Sequence, residues 1–122
     1  NALRYFGNPS YSAAKAGIIS LTQSIASEYG PIGIRCNAIC PGSVRTDNVT
    51  WKLRQQKDPE VCRKLARWYP IGRVAEPSDV AEAVAFLGAP EAAYITGAVL
   101  NVDGGLNAGM NVMIDDFILE AR

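Results

Sequence analysis

The alternation of element types constrains this chain more than any other feature. Ala14, Ile18, Leu21 and Ile25 recur at three- and four-residue spacing through an alanine-rich stretch, which predicts a helix over 10–29. Ser10 is placed to cap its start, and Gly30-Pro31 stops it. Ile34 through Cys40 reads as a strand closed by Pro41-Gly42. Residues 43–58 form a polar loop running into a short helix, and 60–69 reads as helix, with Val61, Leu65 and Trp68 on one stripe. Pro77 opens a further helix, with Asp79 and Glu82 in the early turns where the helix dipole favours acids. Val80, Ala83, Val84 and Leu87 give that helix its apolar face, and Gly88 and Pro90 end it. Ala98 to Val102 is a second short apolar strand, held between Gly97 and Asp103-Gly104-Gly105. Helix, strand, helices and strand in this order describe an α/β fold with a parallel sheet.

Two parallel strands are too few for an independent sheet, which needs neighbours and both faces covered. The Ile34 strand would keep one apolar edge bare. The expectation is therefore half of a doubly wound domain, the rest lying upstream, and Asn1 in place of a methionine fits a processed chain or a piece of a longer one. Composition narrows the function classes. The chain has 122 residues, 48% apolar, with twelve basic and twelve acidic residues. It is too apolar and too near neutral to be disordered, and it lacks the basic excess of a phosphate-neutralising nucleic-acid binder. The clusters Lys52, Arg54, Lys57 and Arg63, Lys64, Arg67 are diluted by nearby acids and read as solvated helix faces. No apolar run reaches the length of a membrane span, so no membrane partner is expected. With no histidine and three cysteines, a Cys/His zinc site and a histidine relay are excluded, and no metal is expected. Cys36 and Cys40, read on one strand, would stand ~13 Å apart, beyond disulfide reach. Free thiols and the lack of a leader point to a cytoplasmic protein.

Two groups of residues could carry chemistry. Tyr11 and Lys15 stand four apart at the start of the first helix and so share one face. A cation near a phenol favours the phenolate, which suits a tyrosine for proton transfer near neutral pH. The second group is the Pro41-Gly42 turn with Val44 and Thr46. Ligands of open parallel sheets bind outside the carboxyl ends of the strands, and a Pro-Gly turn there offers close approach and free amides. The Thr46 hydroxyl can bond an amide or a phosphate, and Asp103-Gly104-Gly105 ends the second strand on the same side. An ordinary surface pair and a plain strand-ending turn are the structural readings of the same residues.

In this order and spacing the sequence resembles the short-chain dehydrogenase/reductase family. Tyr11-Ser12-Ala13-Ala14-Lys15 matches its Tyr-x-x-x-Lys centre, and Asn37-Ala38-Ile39-Cys40-Pro41-Gly42 with Thr46 matches its Asn-x-x-x-Pro-Gly-x-x-x-Thr stretch. Pro70-Ile71-Gly72-Arg73, Pro77-Ser78-Asp79-Val80-Ala81 and Ile95-Thr96-Gly97 to Val102-Asp103-Gly104-Gly105 follow in family order, so the likeness runs from about Gly7 to Gly105.

The resemblance implies the carboxyl-terminal half of a single Rossmann-like, doubly wound parallel sheet. It carries a catalytic helix over 10–29 and a substrate lid over about 43–69, while the dinucleotide-binding amino-terminal half belongs upstream. It implies hydride transfer between NAD or NADP and a small alcohol/carbonyl substrate. Tyr11 would be the general acid/base, and Lys15 would tune it and hold the nicotinamide ribose. Pro41, Gly42, the Val44 backbone and Thr46 would hold the nicotinamide end. Trp51, Trp68 and Tyr69 are candidate pocket walls, or lid residues that simply pack. The family's catalytic serine would fall just before Asn1, so Ser10 and Ser12 receive no such role. A homotetramer or homodimer is implied, and the tail with Met110, Met113, Phe117 and Ile118 is apolar enough to cross onto a neighbouring subunit. The competing readings are a non-catalytic scaffold that binds a dinucleotide or a partner, and a small independent binding module.

Overall fold

The computed structural model describes residues 8–109 and residue 112. The apolar tail residues Met110, Met113, Phe117 and Ile118 lie outside them. The chain divides into two compact units, one drawn from the chain up to Pro41 with Val80–Val102, the other from Gly42–Asp79 and from Asp103 onward.

The first unit is built on helix α1, Pro9–Tyr29. Its cap is Asn8, not Ser10: Asn8 Oδ1 accepts the Tyr11 N–H at 2.9 Å. Pro9 then occupies the first helical turn, where a missing N–H costs nothing. The Gly30–Ile32 segment tightens into a 3-10 turn, and Gly33, at φ 85°, turns the chain away. Strands β1 (Ala38–Pro41) and β2 (Val99–Val102) pair in parallel, from Ala38 opposite Val99 to Pro41 opposite Val102. The α/β class with a parallel sheet is as the sequence implies.

β1 starts four residues later than the apolar run from Ile34. Its expected opening residues are engaged otherwise. The Cys36 N–H donates to Thr96 Oγ1 at 3.1 Å and the Gly97 N–H to the Cys36 carbonyl at 2.7 Å. Asn37 donates through Nδ2 to the Ile95 carbonyl at 2.9 Å and accepts the Ala98 N–H on Oδ1 at 3.0 Å. One side chain thus continues the ladder by a rung before the strands begin. Arg35 Nη1 reaches the same Ile95 carbonyl at 3.1 Å.

Burial in this unit is selective. Thr22, Ala26, Leu87 and Ala92 are buried, and the Thr22 hydroxyl donates to the Ile18 carbonyl. A Cβ at Gly97 would stand 3.5 Å from that of Ala26, so small residues bring helix and turn together. Ile18, Leu21, Val84, Phe86, Val99 and Leu100 are exposed, and β1 has only β2 as a strand partner among the described residues. An open groove beside it is lined by Arg35, Asn37, Ile39, Val84 and Leu87.

The second unit contains α2 (Val49–Lys57), α3 (Val61–Ala66) and the opening turn of α4 (Pro77–Gly88). Asn48 Oδ1 caps α2 by accepting the Trp51 N–H at 2.9 Å. α3 is shorter than the expected 60–69, because Trp68 and Tyr69 donate to the Leu65 and Ala66 carbonyls in tightening turns. Trp51, Tyr69, Val74 and Asp103 are buried. Glu60 pairs with Arg63, and Asp58 with Lys64 at 2.7 Å, so part of the basic cluster is a solvated, paired face. Among the described residues no helix is long and apolar enough to cross a membrane.

Candidate functional site

Tyr11 and Lys15 come together because α1 begins at Pro9, which puts Tyr11 in its first turn and Lys15 one turn later. The Lys15 ammonium lies 5.5 Å from the centroid of the Tyr11 ring, over its face. The quadrupole of the ring attracts the cation at that distance, so each group restrains the other. Tyr11 is 42% exposed. Pro41, the last residue of β1, belongs to the same unit and lies opposite Val102.

Gly42, Val44 and Thr46 belong to the second unit, where the segment after the strand is anchored on both sides of Val44. The Ser43 N–H donates to the Tyr69 hydroxyl at 2.8 Å. The Arg45 N–H donates to the Ala75 carbonyl at 2.8 Å, and the Ala75 N–H returns a bond to the Ser43 carbonyl at 3.1 Å. Val44 and Ala75 thus form an isolated parallel bridge, and Arg45 pairs with Glu76 at 2.7 Å. The Val44 N–H meets no partner among the described residues. The Thr46 Oγ1 is buried and has no hydrogen-bond partner among them. A buried hydroxyl left unpaired costs roughly 1–3 kcal/mol, so a partner from outside the described residues fits it well.

Gly42 has a reason in packing. A Cβ there would come within 2.8 Å of Tyr69 Cε1 and 3.2 Å of the Asp103 Cα. Asp103 in turn organises the turn after β2. Its carboxylate accepts the N–H groups of Gly105 and Asn107 at 3.1 Å each, and Asn107 Nδ2 at 2.6 Å. The Gly104 carbonyl then accepts the Ile71 N–H at 3.2 Å. Of the three aromatics expected as pocket walls, Trp51 and Tyr69 are buried, and Trp68 is 57% exposed. Sequence reasoning did not find the roles of Asn37, Tyr69 and Asp103. Each depends on partners brought close only by the fold, although the Asp-Gly-Gly turn itself was visible.

The Pro70–Arg73 and Pro77–Ala81 stretches also acquire a physical meaning. Arg73 grips Asp79 through both terminal guanidinium nitrogens, at 2.6 and 2.7 Å, and Asp79 accepts the Glu76 N–H at 2.8 Å. The Arg73 guanidinium, with that backbone bond, holds the Asp79 carboxyl well below the usual carboxylate range. The pair secures the start of α4.

A family model described as enoyl-(acyl carrier protein) reductase matches residues 3–107. An uncharacterized oxidoreductase of Schizosaccharomyces pombe is 47% identical over 116 residues, which cover 95% of this chain and 44% of that protein. A crystal structure of an oxidoreductase of the short-chain dehydrogenase/reductase family from Burkholderia thailandensis superposes with a TM-score of 0.89 at 48% identity, covering 98% of this chain and 46% of that one. The structure of ElxO with NADP bound superposes with a TM-score of 0.77 at 28% identity, over 88% of this chain and 43% of that one. The chain belongs to the short-chain dehydrogenase/reductase family, and it spans a little under half the length of these relatives.

Proposed function

We propose that this chain supplies the proton-transfer and nicotinamide-holding half of an oxidoreductase acting on an alcohol/carbonyl pair with NAD or NADP. The observation that carries the reading is the exposed Tyr11 phenol with the Lys15 ammonium over its ring, in a chain of this family. The bound dinucleotide would supply or accept the hydride. Tyr11 gives its proton to the carbonyl oxygen in reduction and takes the hydroxyl proton in oxidation. Lys15 keeps positive charge beside the phenol and holds the nicotinamide ribose hydroxyls. The Pro41-Gly42 turn, the Val44 backbone and the Thr46 hydroxyl hold the nicotinamide end. The unengaged Val44 N–H and the orphaned Thr46 Oγ1 fit an amide-bearing ligand.

The dinucleotide-binding strands and the rest of the sheet come from a further segment of the same fold. The bare β1 edge, its open groove and the relatives' greater length support this. Exposed Ile18 and Leu21 on α1 support association into a dimer or tetramer, and three free thiols suit a cytoplasmic setting. In the complete protein, Tyr11→Phe should lower turnover by on the order of 10²–10⁴ while dinucleotide affinity stays within twofold. Turnover retained by that variant overturns the role given to Tyr11.

A further inference from the structure

Tyr69 is buried, with 6% of its surface exposed, and its hydroxyl lies far in sequence from the atom it serves. The ring is held between two glycines. Cβ atoms at Gly42 and Gly104 would stand 2.8 Å and 3.4 Å from its Cε1 and Cδ1 atoms. That wedge leaves the phenol oxygen 2.8 Å from the Ser43 nitrogen, whose N–H it accepts. On the other side of Val44, the Arg45 N–H is bound to the Ala75 carbonyl. Both neighbours of Val44 therefore spend their amide protons inside the unit, while the Val44 N–H faces no described partner. An N–H fixed between two anchored neighbours cannot turn inward to satisfy itself, and it stays available to a ligand.

We propose that Tyr69 is a positioning residue for the nicotinamide end of the cofactor. Its hydroxyl pins Ser43 so that the Val44 amide and the Thr46 hydroxyl are presented together. The inference rests on the cofactor role proposed above for Val44 and Thr46. In this role the phenol oxygen acts as an acceptor, taking a backbone N–H within the unit. A phenylalanine would fill the same space between the glycines and remove only the hydroxyl, and with it the acceptor of the Ser43 N–H.

The test is equilibrium binding of NADPH, NADH and ADP-ribose to the complete protein and to its Tyr69→Phe variant, read by fluorescence titration or calorimetry. ADP-ribose lacks the nicotinamide and reports the rest of the site. The expected result is about a tenfold loss of affinity for the preferred nicotinamide dinucleotide, with ADP-ribose affinity unchanged within twofold. Equal affinity of variant and wild type for the dinucleotide overturns the positioning role and leaves the cofactor reading intact. Equal losses for dinucleotide and ADP-ribose also overturn it, since they mark a general loosening. A wild-type protein that binds neither dinucleotide overturns the cofactor reading itself. Amide hydrogen exchange on the wild type gives a check that needs no variant: the Ser43 N–H should be protected, and exchange at the rate of an open loop overturns the proposal.

Discussion

The shared carbonyl of Ile95 makes the junction of β1 and β2 open to a quantitative test. Asn37 binds that carbonyl through Nδ2 and accepts the Ala98 N–H, while Arg35 binds the same oxygen. Asn37→Ala removes two hydrogen bonds but orphans only one group. The Ala98 N–H loses its acceptor, whereas the Ile95 oxygen keeps Arg35. A lost bond is worth about 0.5–1.5 kcal/mol and an orphaned, partly buried donor about 1–3, so the expected destabilisation is about 2–3 kcal/mol. Arg35→Ala leaves the carbonyl to Asn37 and should cost only about 0.5–1 kcal/mol. In the double variant the carbonyl loses both partners, and the total should exceed the sum of the single effects by about 1 kcal/mol. Urea unfolding of the complete protein, followed by tryptophan fluorescence and circular dichroism, measures all three midpoints, with similar slopes expected across the set. Additivity within about 0.3 kcal/mol would show that the two side chains do not share the oxygen. An Asn37→Ala variant as stable as wild type would show that the side chain is not a rung of the ladder.

Two further outcomes follow from the second unit. The Asp79 carboxyl is held low by Arg73, so its contribution is present above the unfolded carboxylate pKa near 3.8 and is lost as pH falls below it. Asp79→Asn should therefore destabilise at pH 7 and flatten the fall in stability between about pH 5 and 3; an unchanged acid limb in thermal melts would refute the linkage. Gly104 sits at φ +59°, and a Cβ there would come within 2.8 Å of Ile71 Cγ2. Ile71 is exposed and can swing aside, so Gly104→Ala should cost about 1–2 kcal/mol, chiefly from the left-handed backbone. A melting temperature within a degree of wild type would refute that origin.

Local chemistry made much of the fold legible. Gly30-Pro31 stops α1, Pro77 opens α4 and Pro41-Gly42 closes β1, because each residue acts on its own backbone. The cap of α1 was misread because Ser10 and Asn8 have similar capping power, and Pro9, which takes the first helical position, decides for Asn8. The start of β1 escaped because Ile34 to Asn37 have strand-like composition, but the Ile34 N–H turns back to the Tyr29 carbonyl while Arg35 to Asn37 meet Ile95 and Thr96 through side chains. The apolar stripe of α1 was read correctly as periodic. Yet Thr22 and Ala26 are its buried residues while Ile18 and Leu21 stay exposed, since periodicity identifies a face and not what covers it. At the site, Tyr11 and Lys15 were legible because a helix sets their distance. The Tyr69 hydroxyl at Ser43 was not, because no local rule links residues so far apart in the chain.

The parallel register also governs how the chain reaches its structure. Ala38 meets Val99 only after the whole intervening stretch has been gathered in, and closing a loop of roughly sixty residues costs on the order of 3–4 kcal/mol in chain entropy. The helices can form early from neighbouring residues, but the strand pair cannot. Refolding should thus be slow for the chain's size, with β1 and β2 zipping late, and the Asn37 rung should act mainly on the rate of unfolding. The same contact that orders the strands is the one the chain must wait longest to make.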